Sequence, residues 1–147
     1  MIDLIGHIAA LGVRVHFAHL DDDPHLLGYY SPTHRAIVIR IGMTRAQTRW
    51  VLAHEAGHAH YDHHCRGFNS RHERQANAYA ARLLIDPEEY ARLERINPDQ
   101  FWLAEEFGVS VDCIRAYEEH CLTQMRGVTY TRSRMGVGQW MHRASTL

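Results

Sequence analysis

The segment His-Glu-Ala-Gly-His at residues 54–58 constrains the fold of this chain more than any other feature. In an α-helix, residues four apart lie on one face about one turn apart, so both imidazoles can bind one tetrahedral metal ion. Glu55 then lies beside an open coordination position, where its carboxylate can accept a proton from a water molecule. The segment therefore predicts a metal-binding helix in which His54 and His58 are ligands and Glu55 is the general base.

The residues around this segment indicate a long helix with one buried face. Thr44 opens it with a capping-box pattern, and apolar residues then recur at the spacing of a single helix face. This stripe consists of Gln47, Trp50, Val51, His54, Gly57, His58 and Tyr61. A core helix without a metal is the alternative, but each buried imidazole would then need another hydrogen-bonding partner.

A catalytic zinc ion needs a third protein ligand, and Glu73 is the best candidate. It lies 15 residues beyond His58, after a turn that lets a second helix fold back across the first. Asn77 follows one helical turn later on the same face, where its amide can orient a ligand imidazole. The alternative is that Glu73 is only the capping-box partner of Ser70 at the start of this second helix.

His64 is the competing third ligand, because residues 54–64 have the H-E-x-x-H-x-x-x-x-x-H spacing of metzincins. That arrangement needs a glycine at the eighth motif position to turn the chain, and this sequence has Tyr61 there. We therefore expect the helix to continue and to place His64 on another face. We expect His60 and His63 to be solvated.

Three segments, in this order, resemble the ImmA/IrrE family of zinc peptidases. Residues 51–61 contain the H-E-x-x-H pattern, and residues 73–87 have the spacing E-x-x-A-N-x-x-A-A-x-x-L-hydrophobic-x-P. Residues 103–110 read Leu-Ala-Glu-Glu-Phe-Gly-Val-Ser. The resemblance covers residues 36–120, and all three motifs in order are more specific than the first alone.

The resemblance implies a compact zincin-like domain that uses Zn²⁺ as its cofactor. His54, His58 and Glu73 match the metal ligands and Glu55 matches the catalytic residue. It further implies a cytoplasmic endopeptidase whose partner is a protein substrate, namely a helix-turn-helix transcriptional repressor of a phage, mobile element or stress regulon.

The order of predicted elements is one helix, three short strands and then helices, which is typical of an α+β domain. We expect the strands at residues 13–17, 27–30 and 36–41. They would form a small three-stranded antiparallel sheet, with the active-site helix packed against further helices. The last strand directly precedes the active-site helix, so we expect it at a sheet edge, where a substrate peptide could pair with it. A central, fully paired strand is the alternative, since its apolar run is continuous.

We predict a single domain over residues 1–122, with a C-terminal helical hairpin at 98–122. Residues 123–147 form a basic tail, which holds four arginines and no acidic residue. The formal net charge of the chain is −1, so the composition does not indicate a general nucleic-acid-binding protein. No apolar run reaches membrane-spanning length, the N-terminus lacks the basic region of a signal peptide, and three cysteines do not suggest a disulfide scaffold.

A second class of function is a DNA-binding or protein-interaction regulator that retains the fold without proteolysis. Residues 101–120 read as two helices around a Gly-Val-Ser turn, the pattern of a helix-turn-helix. The second helix contains Asp112, Glu118 and Glu119 but only Arg115 as a cation, so it would repel phosphate groups. Direct nucleic-acid binding would then depend on the arginine-rich tail.

Overall fold

The computed structural model describes residues 2–64 and 68–123 and has the α+β architecture that the sequence predicts. A short helix and three strands precede a series of helices. These elements are α1 (Leu4–Ala10), β1 (Arg14–Ala18), β2 (Gly28–Ser31), β3 (Ala36–Arg40), α2 (Arg45–His60), α3 (Ser70–Leu84), α4 (Pro87–Ile96), α5 (Gln100–Phe107) and α6 (Val111–Ala116), which continues as a π-helical segment (Tyr117–Leu122). The predicted tail beyond Thr123 lies outside the described residues.

The sheet has the strand order β1-β3-β2 and is mixed, so the predicted antiparallel sheet is wrong for one of its two pairings. Strands β2 and β3 pair antiparallel, as predicted, whereas β1 pairs parallel with β3 on the other side. Residues 19–27 make the connection that this arrangement needs. The guanidinium of Arg40 holds this connection, because it donates to the carbonyl oxygens of Leu20 at 2.8 Å, Asp23 at 2.6 Å and Leu26 at 2.8 Å.

Strand β3 is the central strand, so the expectation that it borders the cleft as an edge strand is wrong. Its Ile37 and Ile39 side chains are fully buried. A continuous apolar run suits a strand that is paired on both sides, whereas the more exposed β1 and β2 occupy the edges.

The helix starts follow from side chains that accept backbone N–H groups. Thr44 caps α2 as predicted. The start of α3 is capped by Asn69, whose side-chain oxygen accepts the backbone N–H of His72 at 3.0 Å. Ser70 therefore lies inside the helix, and the alternative that Glu73 is only its capping-box partner is wrong.

The C-terminal hairpin begins two residues later than predicted. Asp99 caps α5 by accepting the backbone N–H of Trp102 at 2.9 Å, and the helix begins at Gln100. Asn97, which directly precedes the predicted start of the hairpin, ends α4. The second helix of the hairpin, with a π-helical second half, ends at Leu122, where the predicted hairpin ends.

Helix α2 lies at the centre of the domain, between the sheet and α3. A Cβ atom added at Gly28 of β2 would lie only 2.9 Å from Val51 Cγ1 of α2, so the strand packs directly on the helix. The buried α2 residues are Trp50, Val51, Leu52, Ala53, His54, Glu55, Ala56, Gly57 and Ala59. Within residues 2–64 and 68–123, no helix is both long enough and apolar enough to cross a membrane.

Candidate metal centre

The three predicted ligands converge at the crossing of α2 and α3. Glu73 Oε2 lies 2.7 Å from His58 Nε2, and Glu73 Oε1 lies 3.4 Å from His54 Nε2. The two Nε2 atoms are 3.0 Å apart. Among the described residues, this is the one group of three or more histidine, cysteine or acidic side chains whose ligand atoms all lie within 4.8 Å of one another.

These separations fit the donor set of a zinc ion. In a tetrahedral site each nitrogen or oxygen ligand lies about 2.1 Å from the ion, so neighbouring donors are roughly 3.4 Å apart. The observed separations of 2.7, 3.0 and 3.4 Å need only a small outward shift to reach that geometry. Two imidazoles with one carboxylate, and room for a fourth ligand, are typical of catalytic zinc.

The close approach of the two helices depends on Gly57. A Cβ atom at this position would lie 2.9 Å from the Cα and 3.0 Å from the carbonyl oxygen of Ala76 on α3. Contacts under about 3.0 Å with backbone atoms cannot be relieved by a side-chain rotation. Glycine between the two ligand histidines therefore allows α3 to come near enough to present Glu73.

The electrostatics of the cluster favour a charged carboxylate beside the imidazoles. Burial by itself would raise the pKa of Glu73, but hydrogen bonds and charge interactions with His54 and His58 hold it far below its usual range. Burial likewise would lower the pKa of His58. The hydrogen bond that His58 donates to Glu73 and the charges of Glu55 and Glu73 outweigh burial and raise this pKa.

Glu55 lies beside the cluster and is itself almost fully buried, with 4% of its surface exposed. It follows His54 directly in α2, and its charge is one of the causes that raise the pKa of His58. The Glu55 carboxylate is therefore close enough to His58 to act on its charge, and its role as a general base stays a prediction.

The predicted second partner of His54 is present in the structure. Asn77 is fully buried on α3, and its Oδ1 atom lies 2.6 Å from His54 Nδ1. An amide oxygen can only accept, so the Nδ1 atom of His54 carries the proton, and Nε2, which faces His58 and Glu73, is the nitrogen that can bind a metal. This contact fixes the orientation of the imidazole in the sense that a ligand requires.

Helix α2 ends at His60, contrary to the expectation that it continues beyond Tyr61. Asp62 adopts a left-handed conformation with φ of 52°, and its N–H donates to the carbonyl of Ala59 at 3.1 Å. The N–H of His63 donates to the carbonyl of His58 at 3.0 Å. These two bonds form a Schellman motif, which stops the helix and brings His63 back over its last turn.

This turn determines where His60, His63 and His64 lie. His64 points away and pairs with Asp62, so it does not replace Glu73 in the cluster. His60 is exposed, as expected, and stacks on Tyr79 with ring centroids 4.8 Å apart. The expectation that His63 is solvated is wrong, because its Nδ1 atom lies 2.8 Å from His58 Nδ1.

The sequence contained a signal for the position of His63. Aspartate is one of the few residues that tolerate a left-handed conformation, and the residue after such a cap commonly contacts the helix position five residues earlier. Applied to Asp62, this rule places His63 on His58. Burial also lowers the pKa of His63, which favours its neutral ring.

Comparison with known families agrees with this geometry. Residues 8–116 match the family model Peptidase_M78, described as the IrrE N-terminal-like domain. The chain belongs to this family. Membership in the IrrE N-terminal-like family indicates a metallopeptidase-type enzyme with a zinc-dependent, protease-like function, and the His54, His58 and Glu73 cluster is its candidate metal site. No curated protein matches the chain significantly.

Proposed function

We propose that this chain is a cytoplasmic zinc endopeptidase that cuts a helix-turn-helix transcriptional repressor of a phage, mobile element or stress regulon. The observation that carries the proposal is the convergence of His54 Nε2, His58 Nε2 and a carboxylate oxygen of Glu73 beside the buried Glu55. Membership in the IrrE N-terminal-like family supports the reaction class, and the resemblance described above motivates the substrate.

In this proposal the site residues have two separate roles, metal binding and proton transfer. His54, His58 and Glu73 would hold a zinc ion, which when bound supplies the Lewis acidity that makes a water molecule more acidic and polarises a peptide carbonyl group. Glu55 accepts the proton of the attacking water and delivers it to the nitrogen of the departing amine. Its burial excludes bulk water and strengthens these charge interactions.

In this proposal the substrate backbone docks on the outer edge of β2. Within the described part of the chain, β2 pairs with β3 alone, so its other side presents free backbone groups. Its first residue, Gly28, lies against Val51, one turn before His54, and the Tyr30 hydroxyl donates to Asp62 Oδ1 at 3.2 Å just beyond the helix. Strand β2 thus follows the part of α2 that contains the ligands.

An edge strand recognises extended main chain and demands little of the side chains. A substrate must therefore offer an unfolded or loosely held segment, and the linker that joins a DNA-binding domain to the rest of a repressor has this character.

The decisive experiment compares the zinc-loaded chain with its Glu55→Gln variant. The substrate tested is any helix-turn-helix repressor found encoded beside the gene, and mass spectrometry identifies any new N-terminus. The variant should keep its zinc and its fold while cleavage slows by about 10²–10⁴-fold, the usual cost of losing a general base. Cleavage at the wild-type rate by the variant, or none by zinc-loaded wild type, would contradict the proposal.

The β2 edge has its own test. Arg40 donates its N–H to the carbonyl of Leu27, and with the observed register this makes Tyr30 a position whose N–H faces away from β3. Tyr30→Pro removes that donor and should raise KM while leaving zinc content unchanged. Tyr30→Phe is the matched control, because it loses only the hydroxyl. Equal KM values for the two variants would argue against β2.

The regulator alternative receives less support from the packing of the C-terminal hairpin. A recognition helix must expose its side chains to a DNA groove, whereas Cys113, Ile114 and Ala116 of α6 are buried. The following π-helical segment buries Glu118, which accepts the Tyr90 hydroxyl at 2.6 Å. These contacts favour a packing role for the hairpin.

A further inference from the structure

His63 has a defined partner at each of its ring nitrogens. Its Nδ1 atom lies 2.8 Å from His58 Nδ1, and its Nε2 atom lies 3.0 Å from Gln75 Oε1 on α3. The ring is also held by stacking. Its centroid lies 3.8 Å from that of His72, nearly parallel, and 5.5 Å from that of Tyr61. Together with the backbone bond to His58, these contacts leave the ring little freedom.

The positions of the protons follow from these contacts. If Nε2 of His58 binds a metal, its Nδ1 atom must carry the proton and can only donate. His63 Nδ1 must then be the acceptor, which places the proton of His63 on Nε2. There it donates to the Gln75 carbonyl oxygen, a group that can only accept. In these two rings, each N–H therefore donates to an acceptor, and His63 Nδ1 accepts from a donor.

We propose that His63 is a positioning residue for the metal centre, which accepts the Nδ1–H of His58 and is itself oriented by Gln75. It does for His58 what the Asn77 amide oxygen does for His54. His72 contributes by stacking on the His63 ring. It adds no hydrogen bond through its Nδ1 atom, which is buried without a partner in the described structure. The inference rests on the proposed metal site and not on cleavage of any substrate.

The test uses three substitutions that separate the acceptor from the ring. His63→Ala removes the acceptor. His63→Asn keeps an oxygen near the place of Nδ1, and Asn77 shows that an amide oxygen serves this purpose in the same protein. His63→Gln reaches toward the place of Nε2 and serves as the matched control. Zinc affinity is measured by competition with a chromogenic chelator, and the visible bands of the cobalt-substituted protein report ligand geometry.

We expect His63→Ala and His63→Gln to bind zinc about 10–100-fold more weakly than wild type, the usual loss for a partner of a ligand histidine. The cobalt bands should shift in both. His63→Asn should restore affinity to within a few-fold, an outcome that a purely packing role would not give. Gln75→Ala should cause a smaller loss.

Thermal unfolding of the metal-free variants provides the control for folding. Equal zinc affinity in His63→Ala and wild type would overturn the inference, and so would equal losses in His63→Ala and His63→Asn. A wild-type chain that binds no zinc would overturn the proposed function together with this inference, so the two failures are distinguishable.

Discussion

The two candidate ligand histidines, His54 and His58, occupy the same helix but are supported by different kinds of structure. His54 is fully buried and contacts Asn77 in the middle of α3. The side chain of His58 is 15% exposed and contacts His63 in the turn that ends α2. One half of the site thus depends on packing between two helices, and the other half depends on the backbone conformation of a turn.

The largest effect should come from removing a ligand, and here the two halves should behave alike. His54→Ala, His58→Ala and Glu73→Ala should each weaken zinc binding by more than about 100-fold, since losing a ligand costs more than losing its partner. Elemental analysis after dialysis measures the loss. His64→Ala is the control and should keep its zinc. Loss of metal in His64→Ala with retention in Glu73→Ala would replace the third ligand.

Gly57→Ala should disturb the packed half of the site. Alanine ordinarily favours a helix over glycine by about 1 kcal/mol, so a loss of stability would be diagnostic of the clash with Ala76. We expect the free energy of unfolding to fall by about 1–3 kcal/mol, as for other overpacked sites, and zinc affinity to fall as Glu73 moves away. Urea denaturation measures the first quantity.

The control for Gly57→Ala is the double variant that also carries Ala76→Gly. It removes the Cβ atom of Ala76, 3.3 Å from the added Cβ atom, but leaves the closer Cα and carbonyl contacts, so it should recover little of the stability or of the zinc affinity. A single variant as stable as wild type would show that the helices can separate freely, and that packing does not set the position of Glu73.

Asn77→Ala should separate the two halves by its effect on stability. It leaves the buried Nδ1–H of His54 without a partner, which costs about 1–3 kcal/mol, and weakens zinc binding by about 10–100-fold. His63→Ala should cost less stability, because water can reach the partly exposed turn and replace the lost acceptor. Denaturation of the metal-free proteins compares the two, and equal losses would remove the distinction.

The smallest effect concerns the turn itself. Asp62→Gly and Asp62→Ala both lose the side-chain contacts with Tyr30 and His64, but only alanine must adopt the left-handed conformation at a cost. We expect the alanine variant to be less stable than the glycine variant by about 1 kcal/mol. The midpoints of denaturation test this, and identical midpoints would mean that the turn has rearranged.

The candidate metal centre could be predicted largely from the sequence because the residues that form it follow a local spacing pattern. The spacing of His54, Glu55 and His58 on one helix, and of Glu73 and Asn77 on the next, needs only helical periodicity and one turn. The structure brings four of these five side chains into direct contact and buries the fifth beside them.

The predictions that were wrong concern features that depend on non-local strand pairing or on a rare backbone conformation. Whether β3 is central is decided by where β1 pairs, and nothing within either strand specifies a parallel neighbour. The end of α2 depends on a left-handed aspartate, which the usual search for glycine or asparagine does not find. His63 was consequently missed as a contact of His58.

The position of all three proposed ligands on the consecutive helices α2 and α3 has a kinetic consequence. His54 and Glu73 are separated by only 19 residues, so the entropy lost in bringing them together is small. Local contacts of this kind form early during folding, ahead of the pairing between distant segments. An ion captured by this helical pair would stabilise the transition state for folding. Zinc should therefore accelerate refolding of the chain more than it slows unfolding.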